Sequence, residues 1–289
     1  MSISKFFLKS IGYFSRGIFV LLYSPTFRYF FRKSFMNIKF KRSFGISVNG
    51  HVMYANTLDR LFALFMWKFF APENDEIAIF KKVVKRGDVV LDVGANIGYH
   101  TLELARLVGN EGRVYSFEPD YENYSLLIKN VNVNGYRNVR AFQKAVTNET
   151  GKGRLFISPE HRGDHRIYDS GDSREYVAIE TLKLDDMFSK EGVDFIKMDI
   201  QGAEYLAFIG MEKLVKRNKG LVIICELSPT LPKMSGFSPK QFIEKLVDCG
   251  LAIKIINEKK KLIESISAQE ILEMCKNNKY INLYLERRL

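Results

Sequence analysis

"VVLDVGANIGYHTLELA", residues 89–105, joins an apolar run of strand length to a segment with helical periodicity through a turn that carries Gly94, Asn96 and Gly98. A strand delivered at once into a helix is the first half of a βαβ unit. Sheets built from such units bind their ligands beyond the carboxyl ends of the strands, where this turn lies.

Working outward from the turn, strands and helices alternate. Upstream, "TLDRLFALFMWKFF" and "ENDEIAIFKKVVKR" read as helices, the second ending at Gly87. Downstream come helix 97–108, strand "RVYSF", helix 121–134 and strands "NVRAF" and "DFIKMDI". A helix from about Ala203, strand "LVIICEL", helix 239–249, strand "LAIKII" and a last strand "YINLYLE" complete the series. The pattern predicts an α/β fold with a doubly wound, mostly parallel sheet. One strand pair, "GRLFI" with "YVAIETL", interrupts it and brackets the polar loop "SPEHRGDHRIYDSGDSR". Asn130, Asn132 and Asn134 read as helix-end and turn residues, and the pattern does not explain a charged Lys197 in mid-strand.

The chemistry of the turn excludes two common ligands. A dinucleotide turn follows G-x-G-x-x-G, whose middle glycine lets the backbone approach a pyrophosphate; the spacing Gly94, Asn96, Gly98 lacks that glycine. A phosphate-cradling loop needs G-x-x-x-x-G-K-[ST], and no such lysine follows. Asp92 precedes the first glycine by two residues, where an acid repels a phosphate and attracts a cation. Glu118, at the end of the second strand, is placed to accept hydrogen bonds from a ribose diol. The implied ligand carries a nucleoside and a positive group but no phosphate, which S-adenosylmethionine satisfies.

"DVVLDVGANIGYHT", "VYSFEPDYENYSLLIKNVNVNG", the "KAV" after the third strand, "IETLKLDD" and "FIKMDIQGAE" together resemble the FkbM family of S-adenosylmethionine-dependent methyltransferases. The likeness runs from about Glu73 to Glu226. It implies a class I methyltransferase fold and O-methylation of sugar or other natural-product hydroxyls. By that resemblance Gly94, Ala95, Asn96, Gly98 and Tyr99 would line the methionine half of the cofactor and Glu118 the ribose. Asp92, Pro119 and Ala145 would also belong to the cofactor site, and Asp199 would lie near the transferable methyl. Where the family has D-V-E-G-x-E, this chain has Asp199, Ile200, Gln201, Gly202, Ala203 and Glu204, so Gln201 replaces an acid.

Methylating a hydroxyl calls for a base. Asp199, at the tip of the fourth strand, is one candidate. His165, in the polar loop with His161, Arg162, Asp164, Arg166 and Tyr168, is another; a solvated histidine or a substrate hydrogen bond is the alternative reading of it. That loop is the expected substrate wall and lid.

Charge separates the chain into parts. Residues 1–50 hold nine Lys and Arg, thirteen aromatics and no acid, and so carry +9 of the net +11. The remainder is nearly neutral and shows no basic stripe, which argues against nucleic acid as partner. The expected organisation is a basic aromatic extension (1–50), a helical lead-in (51–86) and a methyltransferase domain (87–289). The longest uncharged run of the extension, Gly17 to Phe27, is eleven residues, too short to span a bilayer, which takes roughly 20. Interleaved rings and cations suit an anionic membrane surface; packing on the domain or on a partner is the alternative. Three widely spaced cysteines, Cys225, Cys249 and Cys275, form no metal or disulfide pattern and suit a reducing, cytoplasmic location. The expected function is O-methylation of a glycan or glycolipid hydroxyl at the inner face of a membrane. The alternatives are an RNA or protein methyltransferase, or a non-catalytic scaffold that keeps the fold. Sequence leaves the acceptor and the oligomeric state open.

Overall fold

Asn49 and Gly50, both at positive φ (50° and 82°), turn the chain back between antiparallel strands β1 (Lys39–Val48) and β2 (His51–Thr57). Two left-handed residues in succession give a turn whose twist matches that of the strands it joins, which is why Asn-Gly favours hairpins. The structure is a computed structural model and describes residues 39–57, 60, 75–159, 163–228, 236–257, 260–277 and 280–288. The helical lead-in expected over 51–86 is therefore corrected at its start. His51, Met53, Ala55 and Thr57 are buried and the residues between them are not, a period of two rather than 3.6. Residues 1–38 of the extension, most of the helix expected at 57–70, and His161 and Arg162 lie outside the described residues.

The alternating units follow in chain order: α1 (Asp75–Val83), β3 (Val89–Val93), α2 (Tyr99–Val108), β4 (Arg113–Phe117), α3 (Tyr121–Val133) and β5 (Val139–Phe142). The interrupting segment contributes β6 (Ala145–Val146), β7 (Gly151–Phe156), β8 (Tyr176–Leu182) and the short α4 (Leu184–Met187). The series resumes with β9 (Phe195–Met198), α5 (Glu204–Ile209), α6 (Glu212–Arg217), β10 (Val222–Leu227), α7 (Pro239–Asp248) and β11 (Leu251–Asn257). It closes with β12 (Leu262–Ser265), α8 (Ala268–Lys276) and β13 (Ile281–Arg287). The expectation did not include β1, β2, β6, β12, α4, α6 or α8.

Eight strands form one sheet in the order β12-β11-β13-β10-β9-β3-β4-β5. β5, β4, β3, β9 and β10 pair in parallel, while β13 runs antiparallel between β10 and β11. Alternate side chains of each strand enter opposite layers. Leu91, Val93, Ile196 and Met198 pack with α4 to α8, whereas Val90, Val114 and Phe195 pack with α1, α2, α3 and the hairpin. Burial on both faces explains why these strands read as continuous apolar runs. The order reverses between β3 and β9, so their carboxyl ends open a crevice at the centre of the sheet.

Asparagines dock the hairpin on α3. Asn134 accepts the Val52 N–H through Oδ1 and donates to the Val52 carbonyl through Nδ2, both at 2.8 Å. Asn130 accepts the Tyr54 N–H at 2.7 Å and donates to the Ile97 carbonyl at 2.8 Å. These residues are pins between elements rather than helix-end residues alone. At the hairpin tip Asn49 donates to the Tyr99 hydroxyl at 3.2 Å.

Candidate cofactor and acceptor site

The crevice at the β3/β9 reversal holds a cavity of about 270 Å³. The turn after β3 forms one wall. Gly94 and Ala95 both donate to the Phe117 carbonyl at 3.0 Å, bending the chain across the end of β4. Gly94 adopts φ 86°, and a Cβ there would lie 2.0 Å from the Asp199 carbonyl oxygen, so the position admits only glycine.

Glu118 forms the second wall. Its carboxylate is buried and accepts the Asn96 N–H on Oε2 and the Asp120 N–H on Oε1, each at 2.9 Å. Asn123 reaches Oε1 only at 3.4 Å. These donors aim the carboxylate into the cavity wall with acceptor capacity left, most of it on Oε2, which suits a ribose hydroxyl. Burial, reinforced by the nearby Asp120, pushes this carboxyl up to about 7.

Asp199, at the tip of β9, forms the third wall. Its Oδ1 accepts from Gln201 Nε2 at 2.9 Å, and its Oδ2 lies 3.5 Å from Lys197 Nζ. Lys197, unexplained by the strand pattern, is Asp92's cross-strand neighbour on β9. Burial alone would lower its pKa, but Asp199, Asp92 and Glu76 outweigh that and hold the ammonium raised. Asp92 itself is fully buried under the turn, where Thr101 donates to its Oδ2 at 2.5 Å. Burial raises its carboxyl, against the pull of Lys197.

The cavity thus brings together Gly94, Ala95, Asn96, Tyr99, Glu118, Pro119, Ala145, His165 and Asp199. Two residues expected in the site stand elsewhere. Asp92 lies beneath the wall, held to Thr101, and Gly98 packs where a Cβ would meet Leu127 Cδ1 at 2.8 Å. Sequence reasoning missed His100, Asn123, Lys144 and Lys197, which also line the cavity. His100 lies with Nε2 3.3 Å from Glu76, and burial, with Lys197 nearby, holds its pKa well below the ordinary value. Its signal was only its place beside Tyr99; the glutamate partner comes from α1, 24 residues away.

The polar loop is internally braced. Asp164 takes Arg166 at 2.9 Å and Arg174 at 2.8 Å, Arg174 also holds Asp172, and the Tyr168 hydroxyl donates to the Gln201 carbonyl at 2.7 Å. Inside it, His165 Nδ1 accepts the Ser158 N–H at 3.0 Å while Nε2 faces Asp120 at 3.9 Å. With Nδ1 so engaged, a neutral ring carries its proton on Nε2 and presents a donor there.

These walls supply a buried acceptor for a diol, a glycine turn packed on the strand tip and a carboxylate at that tip. The model of the methyltransferase FkbM domain matches residues 92–252. The chain belongs to the FkbM methyltransferase family. Its cofactor is S-adenosylmethionine and it is a methyltransferase, as its relatives are. It is 39% identical over 144 residues to a protein of Saccharolobus solfataricus described as "Probable cobalt-precorrin-6B C(15)-methyltransferase (decarboxylating)", covering 47% of this chain and 69% of the relative. It is 24% identical over 187 residues to the hexuronic acid methyltransferase AglP of Haloferax volcanii, covering 63% of this chain and 71% of the relative. The solved structure of Aeropyrum pernix fibrillarin with bound S-adenosyl-L-methionine gives a TM-score of 0.42 at 15% identity, covering 86% of this chain and 84% of that one. The class I fold of this FkbM chain follows from its own strand order. Its three cysteines are free and buried, and among the described residues no helix is long and apolar enough to cross a membrane.

Proposed function

We propose that this FkbM methyltransferase O-methylates a sugar hydroxyl on a glycan or glycolipid. The observation that carries the reading is the Asp199 carboxylate, a third exposed and facing the cavity between Gln201 and Lys197. A hydroxyl is a poor nucleophile until its proton is taken in the transition state, an effect of about 100- to 10,000-fold. A hexuronic acid methyltransferase among the relatives supports a sugar acceptor.

In this reading Glu118 accepts the ribose diol, with Asn96 and Asp120 holding its carboxylate in place. Gly94, Ala95, Asn96, Tyr99, Pro119 and Ala145 shape the rest of the cofactor wall. Bound S-adenosylmethionine supplies an electrophilic methyl group. Asp199 would orient the acceptor hydroxyl and take its proton as that oxygen is methylated. His165, with Nδ1 engaged by Ser158, acts as a hydrogen-bond donor in the cavity wall rather than as the base. Residues 1–38, rich in cations and rings, hold the enzyme at the cytoplasmic face of an anionic membrane, near a lipid-linked acceptor.

Mass spectrometry of cell-envelope glycans from strains with and without the gene tests the reading. A sugar lighter by 14 mass units, one methylene, in the deleted strain is expected; identical glycan profiles overturn it.

A further inference from the structure

Gln201 combines three features that the reaction so far leaves unused. It stands where the family motif carries an acid, its backbone occupies the left-handed region at φ 54°, and both its ends are hydrogen-bonded. A long side chain gains nothing from that backbone region by itself. What the conformation achieves here is a relay. The main-chain carbonyl accepts from the Tyr168 hydroxyl at 2.7 Å, and the side-chain amide donates to Asp199 Oδ1 at 2.9 Å.

Tyr168 belongs to the loop between β7 and β8, which Asp164 locks between Arg166 and Arg174. On the other side of the carboxylate, Lys197 faces Oδ2. Asp199 is thus gripped on one oxygen by a neutral donor tied to the loop and on the other by a buried cation. A glutamate at 201 could not donate to Asp199 at neutral pH and would set a second negative charge against it.

We infer that Gln201 and Tyr168 are positioning residues, which set the orientation of the Asp199 carboxylate and so couple the acceptor loop to the base. The inference rests on the reading that Asp199 meets the acceptor hydroxyl.

The test uses the full chain and the variants Gln201→Leu, Gln201→Glu and Tyr168→Phe. The last removes a single oxygen and keeps the ring, so it disturbs folding least. The Asp199 carboxyl carbon is followed by carbon-detected NMR at neutral pH, its signal assigned by its absence in Asp199→Asn. Cofactor affinity is read by calorimetry, and turnover by transfer of a tritiated methyl group from S-adenosylmethionine to a glycan extract from cells lacking the gene. Both Gln201 variants should shift the Asp199 carboxyl signal, most in Gln201→Glu. At neutral pH kcat should fall about tenfold with cofactor affinity unchanged within about threefold. Tyr168→Phe should shift both quantities in the same direction by less. An unmoved Asp199 carboxyl signal in folded variants overturns the inference, and so does an effect confined to KM for the extract, which would make Gln201 an acceptor contact. If the carboxyl signal moves in the Gln201 variants while Asp199→Asn keeps full turnover, the coupling stands and the assignment of Asp199 as base falls.

Discussion

Gly94 and Asp199 touch across the mouth of the site: a Cβ on residue 94 would stand 2.0 Å from the Asp199 backbone carbonyl oxygen. The turn after β3 and the tip of β9 are therefore packed directly on each other, and neither moves without the other.

Gly94→Ala should accordingly destabilise the fold by about 3 kcal/mol or more, since backbone rather than a flexible side chain must give way and φ 86° opposes any Cβ. Gly151→Ala, where nothing lies within 4 Å, should change stability by less than about 0.5 kcal/mol. Urea midpoints of the two variants decide the matter; similar midpoints would show that the turn and strand tip separate easily.

Glu118→Ala should weaken S-adenosylmethionine binding by about 1.5 to 3 kcal/mol, the usual worth of hydrogen bonds to a charged group. Because burial lifts this carboxyl to about 7, affinity should also fall as pH drops below 7, by up to about tenfold per unit, as the protonated form loses acceptor positions. Calorimetry between pH 6 and 8 measures both effects. A pH-independent affinity in the wild type would remove Glu118 from the ribose.

Asp199→Asn should cut turnover at least about 100-fold while cofactor affinity stays within a few-fold. His165→Ala should keep most of its kcat, because Nδ1 is engaged by Ser158 and a neutral ring offers no free lone pair. Tritium transfer to the glycan extract measures both. Equal loss in the two variants would restore the histidine as a candidate base.

Glu226 lies near the carboxyl end of β10, and burial, with Asp199, Glu204 and Glu76 near it, pushes its carboxyl up to about 8. A carboxylate raised on folding keeps its proton in the native state after the unfolded chain has lost it at about 4.5. Its contribution therefore declines as pH rises from 4.5 through 8, by up to about 1.4 kcal/mol per unit. Glu226→Gln should gain melting temperature relative to the wild type at pH 8 and lose that advantage at pH 5. A difference independent of pH would contradict the shift.

Vesicle co-sedimentation tests the N-terminal segment. The comparison must begin the shortened chain near Lys39, not Gly50, because β1 pairs with β2 and the hairpin docks on α3. About 1 kcal/mol per engaged Lys or Arg predicts binding that rises with anionic lipid, falls with salt and vanishes on truncation. Binding that ignores lipid charge would reassign the segment to packing or to a protein partner.

Much of this was legible in the sequence because it depended on neighbours along the chain. The βαβ alternation, the glycine turn and the acid at the end of β4 each sit within one or two elements, and the structure brings Gly94, Glu118 and Asp199 to one cavity. The hairpin was missed although "VNGHV" carried its signal; the charge of residues 1–50 drew attention away from an Asn-Gly turn between alternating residues. Lys197 could not be explained from its own strand alone, since only Asp199 follows at that strand's tip while its other partners, Asp92 and Glu76, come from other elements. Nor could the bracing of the polar loop be foreseen, because composition shows charges and not which arginine meets which aspartate.

The grip of α3 on the hairpin imposes a matching of lengths. Asn130 and Asn134 are one helical turn apart, about 6 Å of rise, and they meet Tyr54 and Val52, two strand residues or about 6.6 Å apart. Helix and strand are commensurate over this one step, running in opposite senses. Inserting or deleting a single residue in either would break both clasps together, so this stretch of the chain should tolerate substitution far better than any change of length.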